Sequence, residues 1–289
     1  MKCDRHGTVV GLGSSETVDA CDVSDASSDA STATTTTTAI TAAAPNASRA
    51  VHTDVPERLA REIAMLRRGL PDHVNVRRLL DVDPVAWEAV YGRVAGINLL
   101  DLSIVLQGDY ATRLLYTRSV ARDVFAGLLH LHAHDVVHRN LVPENITLVH
   151  GVGAQLGGFG SVGFGTQLRT HTIAGTPEYM APEMLLALPT DARLDSWALG
   201  CLVYELLVGH SLFPQSTVPD LLDAILRRDN DPSWPSSRLG MLDAPDAEFV
   251  RALVQPLERR PADTDIATSD WLCTPHLRPV SKPDGVEQT

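Results

Sequence analysis

Lysine is almost absent from this chain of 289 residues: of its 24 basic residues, only Lys2 and Lys282 are lysines. Every basic side chain between them is therefore an arginine. The planar fork of arginine does not reproduce the compact ammonium group of lysine, so the two are not interchangeable at a site built for one of them. Chemistry that requires an internal lysine is therefore excluded.

The chain also lacks a long apolar run, a cysteine pattern and an excess of positive charge. Its longest apolar run, Leu199 to Val208, contains Glu205 and falls short of the roughly 20 residues that span a bilayer. No apolar segment follows the first six residues, which predicts an intracellular protein, cytoplasmic or otherwise, that is not secreted and not bound to membranes. Four cysteines without a C-x-x-C pair indicate neither a disulfide framework nor a zinc site. A formal net charge of −12 argues against nucleic-acid binding, which depends on Lys and Arg.

The first third of the sequence favours strands. Residues 8–22 alternate apolar and polar side chains around two glycines, which predicts a hairpin, and residues 73–96 predict two short strands. Between them, Pro56 to Arg68 carries apolar residues at helical spacing behind a proline, which predicts a helix. The Ser/Thr/Ala-rich tract at about 24–48 is either a flexible insertion or a Thr-rich strand within one.

The remainder of the sequence favours helices. Three segments carry a helical period: 110–136, 194–210 and 217–228. A strand-rich part followed by a helix-rich part predicts an α+β protein with two lobes of different class, divided near Gly92–Gly96. The predicted parts are a small antiparallel β lobe with one helix over 1–92, a mainly helical lobe over 93–275 and a polar tail over 276–289.

Five short motifs follow one another in the second half of the chain. They are His138 to Asn145 (HRNLVPEN), Gly158 to Gly160 (GFG), Gly175 to Glu183 (GTPEYMAPE), Asp195 to Gly200 (DSWALG) and Arg260-Pro261. In order and spacing they resemble the motifs of eukaryotic protein kinases, whose catalytic loop reads HRDLKPEN and whose metal-binding turn reads DFG. The resemblance covers about residues 8–275 and implies the two-lobed kinase fold.

The resemblance also implies structural roles for residues that do not touch nucleotide. Arg260 is expected to pair with Glu183, and Asp195 to open the central helix of the large lobe. Thr176 belongs to the same framework. His138 is expected to pack with Phe159 and Leu66 in the hydrophobic column that aligns the two lobes of a kinase.

The stretch from Arg169 to Thr176 resembles the activation segment of the cyclic-nucleotide-dependent branch of the Ser/Thr kinases. In that branch the residue aligned with Thr172 is phosphorylated. Arg139 is its expected partner, because a guanidinium fork can take two phosphate oxygens. Thr172 is otherwise an ordinary loop hydroxyl.

The charged groups of phosphoryl transfer are missing from the matching positions. A carboxylate should orient the substrate hydroxyl, but the aligned residue is Asn140, whose amide cannot take a proton near neutral pH. Val142 replaces the catalytic-loop lysine, and Gly158 replaces the aspartate that carries the metal ions. Asn145 is then the remaining metal-ligand position, and a single neutral amide is a poor magnesium site.

The position of the third-strand lysine has two candidate alignments. Both 38–41 (TAIT) and 49–52 (RAVH) resemble the V-A-I-K motif, and spacing from the helix glutamate, Glu62, favours Thr41. Neither alignment supplies a lysine. Glu62 is therefore expected to pair with an arginine or to face solvent.

The remaining nucleotide-site positions are also altered. Gly11, Gly13 and Val18 match a glycine-rich loop whose third glycine is replaced by Glu16, which would repel phosphates; without the other motifs this segment reads as a plain turn. Tyr91 stands at the gatekeeper position, before a hinge at 92–94. Its ring would narrow the rear of a nucleotide cleft, although core packing explains it equally well.

Four histidines, His130, His132, His134 and His138, lie close together in sequence. Residues two apart on a helix point to different faces, so we expect structural roles rather than a metal site.

The sequence as a whole predicts an inactive Ser/Thr pseudokinase without ATP or magnesium. It would serve as a scaffold or allosteric partner of another protein, such as an active kinase or its substrate. The alternative is a weak or atypical kinase that binds ATP and magnesium through hinge contacts and arginines.

Overall fold

A computed structural model describes residues 47–51, 56–83, 88–92, 95–101, 109–166, 176–215, 217–228 and 238–274. All of them fall within one compact unit, residues 42–289. The predicted hairpin at 8–22 with Gly11, Gly13 and Val18, the candidate position Thr41, Thr172 of the activation segment and the tail at 276–289 lie outside the described residues. Within the described part of the chain, no helix is long and apolar enough to cross a membrane.

The smaller lobe contains an antiparallel sheet and one helix. Strands β1 (Ala47–Val51), β2 (Leu79–Asp83) and β3 (Glu88–Gly92) pair in the order β1-β3-β2. Helix α1 (Pro56–Arg67) contacts β2 and β3. The helix and the two strands predicted within 73–96 are confirmed.

Strand β1 begins inside the tract that we interpreted as an insertion. Ala47 pairs with Gly92 and Ser48 with Tyr91, so the last two residues of the tract belong to β1, and the rest of the tract lies outside the described residues. Alanine and serine favour strands only weakly, so composition gave no indication of β1. The strand obtains its backbone hydrogen bonds by pairing with β3.

The larger lobe is built on two long helices. Helix α2 (Tyr110–His132) starts at Asp109, whose side chain accepts a hydrogen bond from the Thr112 amide over 2.8 Å. Helix α4 (Arg193–Val208) is buried along most of its length and ends at Gly209, whose φ of +91° suits a helix end. Shorter helices surround this pair: α3 (Pro182–Leu185), α5 (Val218–Arg228), α6 (Ala244–Leu253), α7 (Asp263–Ala267) and α8 (Asp270–Cys273).

Short strands position the segments that carry the motifs. Strands β4 (Gly96–Asn98), β6 (Ile146–Val149) and β7 (Gly153–Leu156) form one antiparallel sheet, and β5 (Val136–Val137) pairs with β8 (Gly163–Phe164). The HRNLVPEN segment therefore runs between β5 and β6, and the GFG segment between β7 and β8. This arrangement is the two-lobed α+β fold that the sequence predicts.

Candidate active site

Asp195 at the start of helix α4 holds the segment that corresponds to a catalytic loop. Its side chain is fully buried and accepts two backbone hydrogen bonds, from the His138 amide (2.7 Å) and the Arg139 amide (2.8 Å). Arg139 has a φ of +64°, which is unusual for a residue other than glycine. The bonds to Asp195 stabilise this turn of the backbone.

His132 connects Asp195 to a second carboxylate. Its ring lies 2.9 Å from Asp195 Oδ2 and 2.7 Å from Asp263 Oδ2. Burial alone would lower the pKa of His132, but the hydrogen bonds to both aspartates outweigh it and raise the pKa to about 9. Burial would likewise raise the pKa of Asp195, but the hydrogen bond and charge of His132 hold it below its usual value. A buried, charged network therefore supports the loop.

The other histidines of this region also have structural contacts. The rings of His73 and His130 stack with their centroids 4.7 Å apart, and His134 lies 4.7 Å from His130. Among the described residues, no group of three or more His, Cys, Asp or Glu side chains is arranged to hold a metal ion.

His138 and Phe159 pack against each other at the centre of the site. Both side chains are fully buried, and their rings meet edge to face with centroids 5.8 Å apart. The His138 ring also hydrogen-bonds to the Gly157 carbonyl over 2.8 Å. The side chain of Leu66, the third member of the expected column, lies outside the described residues.

The residues aligned with the catalytic groups are engaged in local structure. The Asn140 side-chain oxygen accepts a hydrogen bond from the Thr176 amide (3.2 Å), and the Asn145 side chain donates one to the Asn140 carbonyl (2.9 Å). Val142 is only 3% exposed and belongs to the apolar core. None of these three side chains carries a charge toward the place where a phosphate would react.

Gly158 supplies no carboxylate for a metal ion, and the side chain of Asn145 lies against it. Its φ is +73°, and a Cβ placed on it would lie 2.2 Å from Oδ1 of Asn145, far inside contact distance. The end of the Asn145 side chain therefore lies where the Cβ of an aspartate at position 158 would be, and it would have to move to admit one. With the catalytic positions neutral as well, the described residues do not fit a magnesium–nucleotide complex.

Glu62 of helix α1 is fully buried, so the alternative in which it faces solvent is wrong. Its Oε1 accepts a hydrogen bond from the Tyr91 hydroxyl over 2.5 Å, and the backbone of Phe159 hydrogen-bonds to the same hydroxyl. Burial, and then the charge of Glu62, raise the pKa of Tyr91, so the hydroxyl stays protonated. A neutral gatekeeper hydroxyl thus bonds to the glutamate that a lysine would pair with in a kinase.

Strand β1 pairs with β3, the strand that carries Tyr91, and its position bears on which of the two alignments gives the place of the missing lysine. Strand β1 contains three residues of the second alignment, and its Arg49 pairs with Val90 of β3. This register weighs against our preference for Thr41, which lies outside the described residues and stays a prediction.

The ion pair expected far from the cleft is present. Arg260 Nη1 lies 2.6 Å from Glu183 Oε1, and Arg260 Nη2 lies 3.2 Å from Oε2. Both side chains are at least 95% buried, and Arg260 also donates to the backbone carbonyls of Arg193 and Gln255. This pair joins helix α3 to the start of helix α4 and to the segment before α7.

The protein kinase domain model matches residues 26–272. The chain belongs to the protein kinase family. Serine/threonine-protein kinase 36 of Pongo abelii is 35% identical over 185 residues, which make up 62% of this chain and 13% of that protein. Serine/threonine-protein kinase fused of Drosophila melanogaster is 34% identical over 187 residues, which make up 64% and 22% of the two chains. Myosin light chain kinase A of Dictyostelium discoideum is 28% identical over 225 residues, or 76% and 74% of the two.

The matched part of this kinase-family chain spans less than a quarter of the length of the first two relatives. Three features of its site were missed by sequence reasoning: the Tyr91–Glu62 hydrogen bond, the second carboxylate on His132 and the position of Arg77 near Tyr91. The only available sequence sign was the bulky tyrosine at the gatekeeper position. Asp263 and Arg77 belong to no motif.

Proposed function

We propose that this kinase-family chain is a catalytically inactive Ser/Thr-type pseudokinase that acts on other proteins by binding them. The observation that carries the proposal is the side chain of Asn145, which fills the space of the missing aspartate beside Gly158. An aspartate at position 158 would have to displace the end of the Asn145 side chain, and Asn140 and Val142 would still supply no charge. Removal of even one charge-stabilising group costs an enzyme several powers of ten in rate.

The second candidate function is a weak or atypical ATP-dependent kinase. The buried Glu62 and the packed Phe159 favour it, because both side chains are held in place at the centre of the site. In this reading arginines would replace the missing lysines. The two candidates differ in their need for metal, which makes metal dependence the deciding property.

A thermal-shift titration of the whole chain with ATP, with and without Mg²⁺ or Mn²⁺, separates the two. A ligand that binds only the folded state must raise its Tm. The pseudokinase proposal predicts no metal-dependent rise. A metal-dependent rise together with autophosphorylation in a radiolabel assay would establish the weak kinase instead.

We further propose that Thr172, when phosphorylated, pairs with Arg139, as the resemblance of its segment to cyclic-nucleotide-dependent kinases implies. Burial, and then the positive charge of Arg61, lower the pKa of Arg139 to about 10. Arg61 lies on helix α1 and donates to the Ser161 carbonyl over 3.2 Å. A phosphate near both guanidinium groups would relieve their repulsion and tie α1 to the large lobe.

The replacement Thr172→Glu should therefore raise the Tm, whereas Thr170→Glu should not. Loss of the rise in an Arg139→Met background would support the pairing. An equal rise in both backgrounds would refute it.

The proposed partner is a protein with an exposed basic segment, such as an active kinase or its substrate. Burial, and then the nearby charges of Glu144 and Glu178, raise the pKa of Glu205, although the hydrogen bond from the Tyr179 hydroxyl lowers it. Such a cluster of carboxyl groups attracts arginine or lysine and repels nucleic acid and anionic membranes. Binding of a fluorescent arginine-rich peptide should weaken in the Glu144→Gln/Glu178→Gln variant, and equal binding would refute this partner class. We also propose an intracellular setting, because the four cysteines indicate no disulfide framework.

A further inference from the structure

Arg77 lies in the segment that leads into strand β2, and its backbone is fixed beside the end of β7. Its amide donates to the Leu156 carbonyl over 2.7 Å, and the preceding Val76 forms a parallel bridge with Leu156. These contacts place Arg77 next to Gly157, one residue before the GFG segment. The position therefore borders the rear of the kinase cleft.

The side chain of Arg77 runs from Gly157 to the end of the gatekeeper strand. Its Cδ would lie 3.6 Å from a Cβ on Gly157, and its guanidinium carbon lies 5.1 Å from the centre of the Tyr91 ring. Its Nε donates to the Gly92 carbonyl over 3.4 Å. The side chain thus has two contacts near the gatekeeper, the hydrogen bond to Gly92 and the approach to the Tyr91 ring, and it passes close to Gly157.

Gly92 is the first residue of the hinge that the sequence resemblance assigns to 92–94. Its amide is already used, because it donates to the Arg78 carbonyl over 2.8 Å. Its carbonyl faces Arg77, so the group that would accept a hydrogen bond from a purine has an internal donor. The ring of Tyr91 favours a cation on its face, which offsets part of the cost of burying the guanidinium.

We infer that Arg77 blocks the hinge from inside the protein. Its side chain donates to the Gly92 carbonyl and excludes a purine ring from the rear of the cleft. The inference rests on the proposed function, in which this cleft does not bind a metal–nucleotide complex. It adds a residue that belongs to no kinase motif. Burial lowers the pKa of Arg77, which accords with a guanidinium enclosed by protein.

The test uses adenosine without metal, so that a purine is offered without phosphates. Arg77→Ala removes both the donor and the bulk, and its adenosine Kd should fall at least about tenfold below that of the wild type. Arg77→Met keeps much of the apolar length but removes the donor, and it guards against loss of folding in the alanine variant. It should bind adenosine about threefold more tightly than the wild type.

Arg78→Ala is the matched control, because it removes the same charge from the next residue. The Arg78 side chain is 66% exposed and pairs with Asp72 at the surface, so its removal should leave the adenosine Kd unchanged. An unchanged Kd in the folded Arg77 variants would overturn the inference, as would an equal gain in Arg78→Ala. Metal-dependent ATP binding by the wild type would instead overturn the proposed function, so the two failures are distinguishable.

Discussion

The framework around helix α4 keeps its buried charged side chains, whereas the catalytic positions of the cleft between the lobes have lost theirs. In the framework, Asp195, Glu183 and Arg260 are buried, charged and hydrogen-bonded to partners of the opposite sign or to backbone amides. In the cleft, the positions aligned with the catalytic and metal-binding groups are neutral, and the Asn145 side chain lies against Gly158. The fold therefore depends on one set of kinase motif residues and not on the other.

Loss of the buried ion pair between Arg260 and Glu183 should have the largest effect on the stability of the framework. Arg260→Ala would leave the Glu183 carboxylate buried without its main partner, which typically costs about 3 to 5 kcal/mol of the free energy of unfolding. Chemical denaturation measures this loss. Arg227→Ala is the control, since its pair with Asp223 lies at the surface and its loss should be close to neutral. A loss below about 1 kcal/mol for Arg260→Ala would contradict the structural role assigned to the pair.

Two glycines allow the crowding in the cleft to be separated from backbone strain. Gly158 and Gly165 both have positive φ, +73° and +105°, but a Cβ on Gly165 would meet no atom within 4 Å. Gly165→Ala should therefore cost about 1 to 2 kcal/mol from strain alone. Gly158→Ala should cost about 2 to 4 kcal/mol, because Asn145 must also move. Equal losses in denaturation experiments would show that Asn145 does not fill the space.

The His132 network gives the framework a characteristic pH dependence. The pKa of His132 is raised from about 6.5 to about 9, so its contribution to stability is complete below about pH 6.5 and disappears as the pH rises through about 9. The free energy of unfolding should fall by about 3 kcal/mol over this range, since each pKa unit corresponds to about 1.4 kcal/mol. The lowered pKa of Asp195 acts at the other end, because its contribution is lost as the pH falls below about 4.

The matched variants for this pH profile are His132→Gln and His134→Gln. The first should flatten the alkaline fall in stability, and the second should retain it. A profile that stays steep in His132→Gln would assign the alkaline fall to another group.

The smallest expected effect concerns the contact that joins helix α1 to the cleft. Tyr91→Phe removes the hydroxyl that hydrogen-bonds to the buried Glu62, at an expected cost of about 1 to 3 kcal/mol. Hydrogen exchange along helix α1 should accelerate in this variant. Tyr116→Phe on helix α2 is the control, and an equal acceleration there would remove the special role of Tyr91.

Motif order and hydrophobic period were enough to predict the two lobes, helix α1 and the long helices. Leu59 and Ile63 repeat at helical spacing, and Glu183 and Arg260, which form the framework ion pair, each belong to a family motif. These features depend on local sequence or on a recognisable motif. The start of strand β1 has neither, because Ala47 and Ser48 precede the motif-like residues 49–51 and pair with β3.

The contacts inside the cleft could not be predicted, because they join residues far apart in sequence. Tyr91 of β3 hydrogen-bonds to Glu62 of α1, and the Arg77 side chain donates to the Gly92 carbonyl. Neither contact corresponds to a sequence motif or to a hydrophobic period. The collision at Gly158 depends on its backbone angle and on the rotamer of Asn145. Sequence comparison identified which charges are missing, whereas the structure identifies what occupies their place.

The most direct test of the central claim is binding of Mn²⁺–ATP to the whole chain, followed by the paramagnetic signal of the metal. If the cleft lacks a metal site, the signal of free Mn²⁺–ATP should not change as the protein is added. Saturable binding of Mn²⁺–ATP by the wild-type protein, followed by transfer of its phosphate, would contradict the account.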